Sequence, residues 1–265
     1  MSEPKSGKAE PSHQSHRTLE STKSKHFIIV GIGIAIVGVA LYLLLSAGFP
    51  LPVEASEQAQ TIDWLFNLHF ILIAFLFALV VVFMVYALIV FRRREGDDGE
   101  GEHFEGNSTL EIAWTVIPLL VVFIFGFIGY QTLKDVTAPR ENEMTVEVVG
   151  SQWTWTFTYP DTGVVTDELV LPVDEPAVMH LEAADVIHSF WVPEFRVKQD
   201  VVPGQVHELR FTPTLEGDYD LVCAEMCGLN HYQMVKPVRI VPYAEFSAWM
   251  GEKMAEQGLQ VASNQ

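Results

Sequence analysis

The sequence predicts a membrane-anchored α + β protein, with two or three N-terminal transmembrane helices followed by an all-β Greek-key sandwich. Three observations carry this: long apolar runs in the first half, short alternating segments in the second, and a lopsided distribution of charge. The chain has 265 residues, of which 49% are hydrophobic and only 19% charged, a balance shifted towards membrane proteins. Of the net charge of −18, residues 135–265 carry −14, with 21 Asp and Glu against 7 Lys and Arg. A domain this acidic repels polynucleotides, which excludes nucleic acid as a partner, and it attracts basic proteins.

The helices come first. Residues 27–47, "FIIVGIGIAIVGVALYLLLSA", form an uncharged run of the length that crosses a bilayer, about 20 residues. A second run covers 63–91, with Asn67 and His69 among its few polar members, and a third covers 111–133. Asn107 or Ser108 can cap the third helix, Glu111 lies in its first turns, and Pro118 is expected to kink it. Lys5, Lys8, Arg17, Lys23 and Lys25 precede the first run, Arg92, Arg93 and Arg94 follow the second, and the short segment between the two has neither Lys nor Arg. The positive-inside rule then places the N-terminus and the 92–110 loop in the cytoplasm and the acidic domain outside. This is the layout of an integral protein of a bacterial-type plasma membrane, with its C-terminal domain on the periplasmic side. The first run also reads as a signal peptide cut after Ala55. Residues 1–26, rich in Ser, Lys, Glu and His, are expected to be disordered.

Strands follow. Within 140–245, eight segments of four to eight residues are rich in β-branched and aromatic side chains, among them "EMTVEVVG", "WTWTFTY", "VIHSFWV" and "DYDLVC". Turn signals such as "PDTG", "VPGQ" and "LEGD" separate them, as in a sandwich. Residues 246–265 read as a C-terminal tail with a short helix.

The chemistry concentrates in "CAEMCGLNHYQM", residues 223–234, which holds both cysteines of the chain in the spacing C-x3-C-x3-H-x2-M. A disulfide would leave the histidine and methionine without a role. Structural zinc favours paired C-x2-C knuckles and does not use thioether. Thiolate, imidazole and thioether together suit copper, and a second cysteine on the loop permits two thiolates to bridge two ions. Each ion then needs a histidine. His231 offers one. His188, 35 residues before Cys223, offers the other, with His180 and His207 as competitors.

The motifs "EIAWTVIP", "GSQWTWTFTYP", "DVIHSFWVPEFRVKQDVVPG" and "CAEMCGLNHYQM" stand in this order, and across residues 63–245 the chain resembles subunit II of the haem–copper cytochrome c oxidases. The resemblance implies a cupredoxin domain with the binuclear copper centre called CuA. Cys223 and Cys227 would bridge both ions, His188 and Met234 would complete one, and His231 and the backbone carbonyl of Glu225 the other. It implies that Trp153 is where electrons come in, that the Glu225 carboxylate shares a magnesium ion with subunit I, and that Glu111 opens a proton path. The implied partners are subunit I with its haem, other oxidase subunits, membrane lipid, and a basic donor such as cytochrome c or a blue copper protein. The implied activity is transfer of electrons to haem in subunit I, where oxygen is reduced to water with proton pumping. Rival readings are a membrane-tethered cupredoxin carrier and a copper chaperone. No C-x-x-C-H motif is present, so no covalently held haem is expected.

Overall fold

A computed structural model describes residues 13–93, 95–96 and 103–259, with side chains from Ser24 onward. Lys5, Lys8, Arg94 and parts of the 1–26 and 92–110 segments lie outside the described residues. Among the described residues, three helices are long and apolar enough to cross a membrane: Ser24–Gly48, Glu57–Val90 and Ser108–Val136. The upper of the two helix numbers anticipated from sequence is the one found.

The chain divides into two units, Met1–Pro50 with Asn67–Glu105, and Leu51–Phe66 with Gly106–Gln265. The first unit is a hairpin of α1 (His13–Gly48) and most of α2 (Glu57–Val90). Small residues let the two backbones approach, as is usual between membrane helices. A Cβ on Gly33 would stand 2.9 Å from Val82 Cγ1, and one on Gly38 would stand 3.7 Å from the Ala78 Cβ. The polar side chains of the hairpin pair with one another. Tyr42 Oη–H donates to Asn67 Oδ1 at 2.8 Å, and His26 Nδ1 lies 2.6 Å from Tyr86 Oη. Residues 13–26, expected to be disordered, continue α1 instead. A helix already nucleated in its apolar part adds residues at its end at little cost.

In the second unit, α3 (Ser108–Val136) runs through Pro118 and starts at Asn107, whose Oδ1 accepts from the N–H groups of Thr109 and Leu110. None of its residues is buried, as befits a helix solvated by lipid. Ten strands follow, in two five-stranded sheets. One has the order β3-β2-β1-β5-β8, built from Val164–Thr166, Thr154–Tyr159, Met144–Ser151, Ala177–Ala183 and His207–Phe211. The other is β4-β10-β9-β6-β7, from Leu169–Pro172, Val235–Val241, Gly217–Cys223, His188–Val192 and Val197–Val201. The β1–β5 and β10–β4 pairs are parallel and the rest antiparallel. Alternate residues such as Val146, Val148, Trp155, Phe157, Met179, Leu181 and Phe190 fill the core. This is the expected sandwich, cupredoxin-like, with β3 and β7 in addition to the eight strands read from sequence.

Two further differences matter. The segment 246–265 is not simply a tail, because α4 (Tyr243–Glu256) buries Phe246, Trp249, Met250 and Met254. The i, i+3, i+4 spacing of these apolar side chains makes one face of the helix part of the core. Similarly, α2 starts at Glu57 rather than 63, capped by Ser56 Oγ, which accepts from Ala59 N–H. The strap Leu51–Phe66 belongs to the β unit. Ala55 N–H donates to Glu194 O, Glu57 N–H to Thr212 O and Ser56 Oγ–H to Phe195 O. Asp63 and Arg196 form a bidentate pair at 2.8 and 2.9 Å, and Arg196 also reaches the carbonyl of Pro52.

Candidate metal centre

Strand pairing brings the donors together. Antiparallel β6 and β9 set Phe190 opposite Cys223, so His188, two residues before Phe190, falls on the same inward face. Cys223 ends β9 and Met234 precedes β10, and the Cys223 N–H bond to Met234 O (3.1 Å) closes the loop between them at its base. Inside the loop, His231 N–H donates to Gly228 O and Met234 N–H to His231 O, which turns residues 228–234 back on themselves. Ala224 N–H, donating to Ser189 O, pins the other limb to β6.

Six donor atoms converge as a result. Cys223 Sγ and Cys227 Sγ stand 3.8 Å apart. Cys223 Sγ is 4.0 Å from His188 Nδ1 and 3.2 Å from the carbonyl oxygen of Glu225. Cys227 Sγ is 3.6 Å from His231 Nδ1 and 3.7 Å from Met234 Sδ. His188 and Met234 are fully buried. Burial, together with the Cys223 thiol alongside, pushes the Cys227 thiol up to about 11. A cation placed there would offset that cost by holding both sulfurs as thiolates.

These distances separate the candidates left open by the sequence. Both cysteines are free, and 3.8 Å is far beyond a sulfur–sulfur bond of about 2.05 Å. The ligand atoms of His188, Cys223 and Cys227 all lie within 4.8 Å of one another, and His231 falls outside that group. One four-coordinate zinc would draw all its nitrogen and sulfur donors within about 4 Å of each other. Two imidazoles beside different sulfurs, with a thioether and a carbonyl besides, make a soft donor set that suits copper better than zinc. His180 and His207 take no part: His180 faces Glu208 at 3.8 Å, and His207 sits on β8.

Groups around the donors orient them. His188 Nε2–H donates to Asp185 Oδ1 at 2.8 Å, which leaves Nδ1 with the lone pair that faces Cys223, the usual carboxylate–histidine support of a metal ligand. Burial alone would raise the Asp185 carboxyl, but bonds from His188 and from the N–H groups of Gln152 and Val186 bring it below its ordinary range. Trp155, fully buried, meets the His188 ring edge-on at 5.9 Å. Trp153 stands at the tip of the β1–β2 hairpin, over Gly228. Sequence reasoning missed Asp185 and Gln152, although an acid three residues before a ligand histidine was a usable signal. Glu225 presents an exposed side chain on the loop. Glu111 lies in the first turn of α3.

Comparison with known proteins agrees. The family description "Cytochrome C oxidase subunit II, periplasmic domain" matches residues 164–241, and "Cytochrome C oxidase subunit II, transmembrane domain" matches 44–132. Cytochrome c oxidase subunit 2 of Synechocystis sp. is 35% identical, over 83% of this chain and 80% of its own. The chain belongs to the cytochrome c oxidase subunit II family. Among other subunit II relatives, that of Thermostichus vulcanus is 33% identical, over 77% of this chain and 79% of its own. The crystal structure of the periplasmic domain of subunit II from Bradyrhizobium japonicum aligns at 30% identity, over 44% of this chain and 97% of that one, with a TM-score of 0.42.

Proposed function

We propose that this membrane protein is the electron-accepting subunit of a terminal cytochrome c oxidase. It takes electrons one at a time from a basic donor and hands them to haem in subunit I, where oxygen is reduced to water with proton pumping. The observation that carries the reading is the convergence of Cys223, Cys227, His188, His231, Met234 and the Glu225 carbonyl within one loop and one neighbouring strand. Two copper ions held by these six donors would share a single transferable electron over both thiolates.

The chain's own residues supply the rest. Cys223 and Cys227 would hold the ions as thiolates, and Asp185 keeps His188 in the tautomer that can ligate. Met234 and the Glu225 carbonyl would be weak donors that tune the potential. A sandwich core on one side and the loop's internal hydrogen bonds on the other hold the donors still, so little rearrangement accompanies a change of charge. Trp153 is the point where electrons come in, supported by its place over the ligand loop. The Glu225 carboxylate, exposed on that loop, is open to a magnesium ion shared with subunit I. Glu111, exposed at the start of α3, opens a proton path into the same partner. The basic flanks of the first two spans put the N-terminus in the cytoplasm and the copper domain on the periplasmic side.

The test is metal analysis of the full chain in its assembled complex. We expect two coppers per chain, a near-infrared absorption band and an electron paramagnetic resonance signal spread over both nuclei. One copper at saturation, or zinc in its place, overturns the proposal.

A further inference from the structure

The two-residue tip of the β1–β2 hairpin, Gln152 and Trp153, is fastened at three points, and each one touches the ligand cradle. The Gln152 backbone N–H donates to Asp185 Oδ2 at 2.8 Å. The other oxygen of that carboxylate takes the His188 Nε2–H, also at 2.8 Å. The Gln152 side-chain amide donates from Nε2 to the backbone carbonyl of Cys227 at 2.6 Å. The third point is Gly228, with φ +125°, where a Cβ would come within 2.9 Å of Gln152 Nε2 and 3.3 Å of Trp153 Cζ2 and Nε1. No side chain fits between hairpin and loop, so the indole lies directly on the peptide that follows a ligand cysteine.

From this geometry we infer that Gln152 is a positioning residue for electron transfer. Its amide holds the Cys227–Gly228 peptide against the Trp153 indole, and its backbone joins that peptide, through Asp185, to His188. One residue thereby ties the hairpin that carries Trp153 to a ligand cysteine and to the group that orients a ligand histidine. The inference rests on the proposed copper centre and on Trp153 as the point of electron uptake. Gln152 is itself exposed, so its packing contributes little and the hydrogen bond is the interaction that acts. Loss of that bond frees the loop to move away from the indole, and reactions between held groups respond steeply to sub-ångström displacement.

Two near-isosteric substitutions separate hydrogen bonding from shape. Gln152→Met keeps the length and removes the donor, and Gln152→Glu sets an acceptor against the Cys227 carbonyl. In the metal-free full chain, amide exchange of residues 225–232 should quicken about fivefold in the methionine variant, as for loss of one net hydrogen bond, and further in the glutamate variant. In the assembled oxidase, both variants should keep two coppers, while electron uptake from reduced donor slows about tenfold in Gln152→Met and more in Gln152→Glu. Equal exchange and equal uptake across wild type and both variants overturn the inference. That result is distinct from failure of the copper reading, in which the wild type itself lacks two coppers, and from failure of the Trp153 role, in which Trp153→Ala takes up electrons at the wild-type rate.

Discussion

Tyr159 donates its phenol hydrogen to Val170 O at 2.8 Å and accepts from Val170 N–H at 2.9 Å, so one oxygen ties β2 of one sheet to β4 of the other. Burial is the main reason its pKa stands above that of an ordinary phenol. The Val170 bond opposes the rise and the charge of Glu168 adds to it. Tyr159→Phe leaves both polar groups of Val170 buried and unpaired, and should cost about 2 kcal/mol at neutral pH. The pH dependence has a definite sign. Below about pH 10 the phenol is neutral in folded and unfolded chains alike, and its contribution is complete. Above that, the unfolded chain loses the proton while the folded chain keeps it, so stability falls as pH rises. Denaturant titrations of wild type and Tyr159→Phe should therefore differ most at neutral pH and converge on the alkaline side. A gap that stays constant from pH 7 to 11 would contradict this account.

At the scale of elements, the strap before α2 bears on whether α1 stays attached. Ala55 and Ser56 are both fully buried, and their backbone and side chain bond to Glu194, Phe195 and Thr214. Cleavage after Ala55 would place a new terminal ammonium inside that buried strap, which carries a heavy desolvation cost. The expected outcome is a chain that keeps α1, and intact-mass measurement of the purified complex checks it. A mature chain beginning at Ser56 would refute it. Gly33→Leu, driven into Val82, should loosen the α1–α2 hairpin and raise its susceptibility to protease. Most elements were legible in the sequence because their signals are local: three apolar runs, eight alternating segments, and one loop with its cysteines, histidine and methionine at close spacing. What escaped depends on contacts distant in the chain. β3 is three residues between turns, and β7 has Lys198, Gln199 and Asp200 between its two terminal valines, so both are strands by virtue of their partners β2 and β6. α4 looks like a tail until its apolar face meets the sandwich. Spacing alone left His188 level with His180 and His207, and the pairing of β6 with β9 supplies the physical reason for the choice, while the Gln152 bond to Cys227 spans 75 residues.

For the molecule as a whole, charge is the long-range property. With −14 on residues 135–265, a basic donor would be drawn in from beyond contact distance, and salt would screen that attraction over about 10 Å at 0.1 M. The second-order rate of electron uptake should fall as ionic strength rises, with the copper signals unchanged. Stopped-flow mixing over a salt series measures it, and a flat profile would remove charge from the docking step. The Leu51–Phe66 strap carries one more consequence, for anyone who would excise the globular half as a soluble reagent. A fragment begun at residue 135 would strand the Arg196 guanidinium without the carboxylate of Asp63 and leave Thr212 and Glu194 as open edges. Grafting those sixteen residues back onto the front, membrane spans omitted, would restore the missing wall.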